Sequence, residues 1–184
     1  MTSSATVLQR VSAAVAVAIV VAATPALRGQ GGTAKGTVMV DTEKVALTTA
    51  TAAGYRATNG QVIAILLSDK PPDAKSFAED TRIGTGESYV PGIISGAWKS
   101  QHFTKHFSGF TFTFNDAGRI IDEEILLGGK NKTFSLGGDE YVLELTSKGP
   151  KVAGRIHTKT PVVDVGKKVS LDVTFEAPLT MVGK

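Results

Sequence analysis

Three histidines, one tryptophan and a short acidic run are the side chains of this chain best equipped to do chemistry. His102 and His106 stand four apart in Trp98-Lys99-Ser100-Gln101-His102-Phe103-Thr104-Lys105-His106-Phe107. On a helix that spacing sets both imidazoles on one face, where a metal ion could bridge them. In a strand it separates them by about 13 Å, too far to share an ion. Glycines and threonines flank the stretch, so the expectation is a loop or strand with both histidines exposed. A metal would also need a third ligand from Asp122, Glu123, Glu124 or His157, and their spacing gives no reason for convergence. No metal site is expected.

The same stretch is locally the most basic, with Lys99 and Lys105 set among Trp98, Phe103 and Phe107. Trp98, Lys99, His102, Lys105 and His106 are therefore the candidate ligand-binding residues, for an anionic group or for a sugar stacked on the indole. The competing expectation makes Trp98 a core anchor at the end of a strand over 93–98, with the lysines solvating its rim.

The run Asp122-Glu123-Glu124 suggests the paired carboxylates of glycoside hydrolysis. Successive residues of a strand face opposite ways, so Asp122 and Glu124 would share one side and Glu123 would point away. Nothing supplies a second carboxylate at the required separation, and a solvated hairpin arm is expected. There is no Gly-x-Ser-x-Gly elbow and no Ser-x-x-Lys pair. Ser68-Asp69-Lys70 runs into Pro71-Pro72 and reads as a turn. Gly128-Gly129 and Gly137-Gly138 open no helix and so form no phosphate loop. Asn131-Lys132-Thr133 matches a glycosylation sequon, which fits an exposed loop. With no cysteine, thiol catalysis, cysteine-ligated zinc and iron–sulfur clusters are excluded. No catalytic residue and no cofactor are expected.

The elements that would position these residues are strands. Val169, Leu171, Val173 and Phe175 alternate with polar residues, as do Phe110, Phe112 and Phe114. Tyr141, Leu143 and Leu145 form a third alternating run, and Val152, Gly154 and Ile156 a fourth. Asn59-Gly60 and Asn115-Asp116-Ala117-Gly118 are hairpin turns by composition. Val62-Ile63-Ala64-Ile65-Leu66-Leu67 is apolar on both faces and must be covered on both. A short helix over 73–80, opened by Pro71-Pro72-Asp73, is the expected cover. The fold class is all-β, an antiparallel sandwich of about eight to nine strands with one short helix. A closed up-and-down barrel is the alternative.

The first 26 residues bear on compartment. Arg10 precedes an apolar, uncharged run over 11–23, followed by the small residues Ala22, Ala23, Thr24 and Ala26. This is the layout of a secretory signal peptide, cut after Ala23 or Ala26. The run is shorter than the roughly 20 apolar residues a membrane span requires. The domain organisation is then a signal peptide over 1–26, a flexible glycine-rich leader over 27–35 and a single domain over 36–184. The 20 Lys+Arg and 17 Asp+Glu are interleaved, and only Arg10 precedes the cut. A mature charge near +2, with no basic stripe, excludes a nucleic-acid surface.

Gly154-Arg155-Ile156-His157-Thr158, then Pro161, then Val173-Thr174-Phe175-Glu176-Ala177-Pro178, resembles the C-terminal strands of small exported bacterial domains without assigned activity. Gly36-Thr37-Val38 and Leu66-Leu67-Ser68-Asp69 extend the likeness over most of the mature chain. The resemblance implies a secreted β-sandwich, and no catalytic residues. The expectation is an exported, periplasmic or extracellular, noncatalytic binding or accessory domain, whose partner is a protein, a glycan or a small molecule. A barrel carrying an apolar small molecule and a metal-dependent hydrolase are the alternatives.

Overall fold

The computed structural model describes residues 31–57, 60–73, 93–130 and 132–181. The expected signal peptide, all but Asp73 of the helix expected over 73–80, and the sequon's Asn131 lie outside the described residues. The strands are β1 (Gly32–Val40), β2 (Glu43–Ala57), β3 (Gly60–Ser68), β4 (Gly109–Asn115), β5 (Ile120–Leu127) and β6 (Lys132–Phe134). They continue with β7 (Tyr141–Lys148), β8 (Lys151–Thr158), β9 (Val162–Asp164) and β10 (Lys167–Met181). Among the described residues one α-helix, α1 (Ile93–Lys105), lies between β3 and β4.

The ten strands form one sheet in the order β6-β5-β4-β3-β2-β1-β10-β8-β7, with β9 also paired to β10. The pairings are antiparallel except for a short parallel contact of Leu179–Met181 with Ala52–Gly54. The sheet folds over so that its two halves face each other across one core. Phe112 of β4 meets Phe175 of β10 edge-on with ring centroids 5.8 Å apart. Phe110 packs on Tyr141 of β7 at 5.1 Å. The edge strands β6 and β7 do not pair, so the sheet stays open and the barrel alternative is corrected. Phe110, Phe112 and Phe114, each fully buried, fill the interior between the halves.

The period-two runs sit as their spacing requires. Val169, Leu171, Val173 and Phe175 are buried, while Asp172, Thr174 and Glu176 are exposed. The expected hairpins are present. Asn115 and Gly118 close the β4–β5 turn with a 2.9 Å backbone hydrogen bond, and Gly118 supplies a φ of 76°. In the β2–β3 hairpin Ala57 pairs with Gly60, so Gly60 belongs to β3 rather than to the turn expected at Asn59-Gly60.

Two expectations change. The flexible leader over 27–35 does not extend through its last residues: Gly32 to Lys35 belong to β1, paired to β2 and β10 on either side. The doubly apolar strand β3 is covered on both faces as anticipated, and among the described residues its outer cover is α1. Ala64 and Leu66 of β3 pack with Trp98 and Phe107 in a second cluster, separate from the main core. Thr111 and Thr113, on the face of β4 expected to be wet, are buried as well.

Candidate functional site

The stretch from Trp98 to Phe107 is helical through Lys105, which overturns both the loop-or-strand expectation and the strand over 93–98. The helix forms because it has an apolar surface to cover: the outer face of β3 offers Ala64 and Leu66, and that of β5 offers Leu126. Trp98 is fully buried against them and anchors this second core. His102, one turn on, is also fully buried, contrary to its expected exposure. Its Nδ1 lies 2.5 Å from the Phe107 carbonyl oxygen. A carbonyl only accepts, so Nδ1 carries the proton. Nε2 is buried without a hydrogen-bond partner among the described residues.

His106 is exposed as expected, but it lies just past the helix. Its φ of 51° and the 2.8 Å bond from its N–H to the His102 carbonyl make it the left-handed residue that ends α1. The backbone at this end presses on the chain just past β5, where a side chain at Gly128 would begin 2.4 Å from the His106 oxygen. The four-residue spacing therefore yields no shared face. Among the described residues, no three metal-ligating side chains come together.

The two lysines are committed as well. Lys99 Nζ lies 2.6 Å from Glu124 Oε1, and Lys105 Nζ 2.6 Å from Asp73 Oδ2. Gln101, buried on the same helix, adds a two-way clasp. Its Oε1 accepts from Asp73 N at 2.8 Å and its Nε2 donates to Asp73 O at 3.3 Å. The five candidate residues share a helix and its terminus, where Trp98 and Lys99 fasten α1 to the sheet and Lys105 ties it to Asp73.

Sequence reasoning missed Glu123. Far from being part of a solvated arm, it is buried, and three donors converge on it. Oε1 accepts from Ser135 Oγ and Gly137 N at 2.7 Å each, and Oε2 from Tyr141 Oη at 3.0 Å. Burial, then the adjoining Glu123 charge, pushes the Tyr141 hydroxyl far above the usual tyrosine range. The carboxylate thus spends its lone pairs on its own chain, joining β5 to the segment that leads into β7. A signal was present: Glu123 shares the parity of Ile125 and Leu127, the inward residues of β5.

A cleft of about 230 Å³ opens at one end of the folded sheet. Val40, Leu127 and Phe134, all core residues, line its apolar side. Asp41, Glu43, Lys130, Lys132 and Lys167 supply its charges. Lys130 pairs with Glu43 across the cleft, and Lys167 Nζ lies 2.6 Å from Asp41 Oδ2. Lys132 is exposed and has no ion-pair partner among the described residues. Among the described residues no histidine, cysteine or serine lines the cleft, and nothing in the sequence marks it, because its walls come from three stretches of chain far apart in sequence.

Compared with known proteins, the chain matches no family model, no curated protein and no solved structure. The likeness to small exported bacterial domains therefore rests on its strand motifs alone.

Proposed function

We propose that the chain is an exported, noncatalytic binding domain that takes a small amphipathic anion in the cleft at the end of the sheet. One observation carries this reading: the cleft joins an apolar wall of Val40, Leu127 and Phe134 to a cationic rim in which Lys132 is uncommitted. An apolar body bearing one carboxylate or phosphate satisfies both parts. At about 230 Å³ the space suits a ligand smaller than the drug-sized molecules that fill ordinary pockets. The noncatalytic part is supported by the fate of the reactive side chains. Trp98, His102 and Glu123 are buried in packing or hydrogen bonds, and Lys99 and Lys105 are ion-paired. The aromatic rings of β4 occupy the interior that a carrier of apolar molecules would keep open, which favours a surface cleft.

Thermal unfolding with a series of alkyl carboxylates, matched alkyl alcohols and alkyl ammonium ions tests the proposal. Carboxylates should raise the melting temperature by roughly 5–10 °C at about 100 times Kd. The alcohols and ammonium ions should do so far less, and Lys132→Glu should abolish the carboxylate effect. An unmoved melting temperature across the carboxylates, or a shift that survives Lys132→Glu, would sink the assignment.

A further inference from the structure

The β9–β10 hairpin ends in a two-residue turn, Val165-Gly166, between the paired residues Asp164 and Lys167. Both turn residues have positive φ, 47° and 72°. That is the type I′ pattern, which glycine and asparagine adopt readily and a β-branched residue does not. Val165 is also 87% exposed, and Val163 on the neighbouring strand 70%. A strained valine this exposed buries little within the described fold to offset its conformation. Such an outlier points to a role outside the chain.

The surroundings indicate what lies there. Val169 faces the core, so its neighbour Lys168 and the paired Val163 stand on the outer face. On the same face Met39 of β1, partly exposed, pairs with Ser170 on one side and Lys44 of β2 on the other. Lys44 and Lys168 are exposed and have no ion-pair partner among the described residues, whereas Lys167 is held by Asp41. The result is a projecting apolar tip backed by uncommitted cations. A projection suits a deformable surface more than a preformed groove, and unpaired lysines around it call for negative charge.

We infer that the Val165 hairpin docks on an anionic lipid surface, with Val163 and Val165 entering the acyl boundary while Lys44 and Lys168 meet the headgroups. This role is independent of the cleft and uses neither Lys132 nor Phe134.

Co-sedimentation of the full chain with vesicles tests it, comparing phosphatidylglycerol–phosphatidylcholine mixtures with phosphatidylcholine alone. The full chain should bind the anionic vesicles and lose about fivefold in affinity for each of Lys44→Gln and Lys168→Gln. Val165→Gly should weaken binding at least fivefold while raising the melting temperature, because glycine relieves the turn. A loss of binding by a more stable protein excludes misfolding as its cause. Val163→Ser, which leaves the turn untouched, should weaken binding in parallel. Equal binding to both vesicle types, or none to either, overturns the inference. So does binding that survives both valine changes, the outcome if the apolar residues 11–23 were responsible. A dimer in solution that Val165→Gly dissolves would also overturn it and assign the tip to a second copy of the chain.

Discussion

Glu123 draws its three donors from one short stretch of chain, Ser135 to Tyr141, so a single carboxylate fixes the whole passage from β6 to β7. Hydrogen bonds to a charged group contribute about 1.5–3 kcal/mol each, and a buried donor left without an acceptor costs a comparable amount. Glu123→Gln keeps an acceptor at Oε1 and should cost about 1–2 kcal/mol in urea unfolding. Glu123→Ala leaves Gly137 N and Tyr141 Oη without their acceptor and should cost about 3 kcal/mol or more. Equal losses for the two variants would show that packing, not hydrogen bonding, holds the site. The alternation of Asp122-Glu123-Glu124 between two faces is readable from the sequence. That Glu123 falls on the apolar face is readable too, from Ile125 and Leu127. Its donors are not, because they arrive from beyond a second turn and lie up to 18 residues away.

At the level of elements, the strands were legible and the helix was not. Leu171 and Val173 announce a half-buried strand by alternation alone, a local property of the chain. The helix has no such local mark. The segment over 93–105 contains Gly96, two isoleucines and a threonine, and it lacks an acidic residue in its first turn. What makes it helical is the surface it covers, and that surface exists only once β3, β4 and β5 are assembled. For the same reason His102 is buried where a loop would leave it exposed, since the sheet beneath claims both Trp98 and His102. The helix also ends on a residue poorly suited to its place, since His106 holds a φ of 51°. His106→Gly should stabilise the protein by about 0.5–1 kcal/mol in denaturant unfolding. A destabilised variant would mean that the imidazole makes contacts worth more than the strain.

Across the whole molecule, exposed aspartates secure its turns and its outer face. Asp41 accepts from Lys167 Nζ and from Lys168 N, tying the β1–β2 turn to the start of β10. Asp116 accepts from Gln61 N and pairs with Lys148, binding the β4–β5 turn to β3 and β7. Asp172 takes a two-point bond from Arg155 at 2.9 Å on each oxygen, across β8 and β10. Asp41 is held below the usual carboxylate range by the Lys167 bond first, and Asp116 by the Gln61 N–H first. The Arg155 bond does the same for Asp172. All three bind protons less readily when folded than when unfolded. Their contribution is therefore present above the ordinary aspartate range and is lost as pH falls through the lowered folded values. Urea midpoints should stay level near neutral pH and drop below about pH 4. The triple change Asp41→Asn, Asp116→Asn, Asp172→Asn should shrink the difference between pH 7 and pH 3. An undiminished acid drop would place its origin in other groups.

The first described strand and the last lie side by side at the centre of the sheet, with Thr33 opposite Glu176 and Val40 opposite Val169. Synthesis delivers β1 well before β10, so one edge of β1 has no mate until β2 to β9 have all been made. Pairing at such sequence separation is slow to nucleate, and an unpaired strand edge in the interim recruits other chains. A polypeptide stalled before Lys167 would keep that edge bare and lack the inward wall formed by Leu171, Val173 and Phe175. Translation can build the hairpins on either side as they emerge, but the middle of the fold waits for β10.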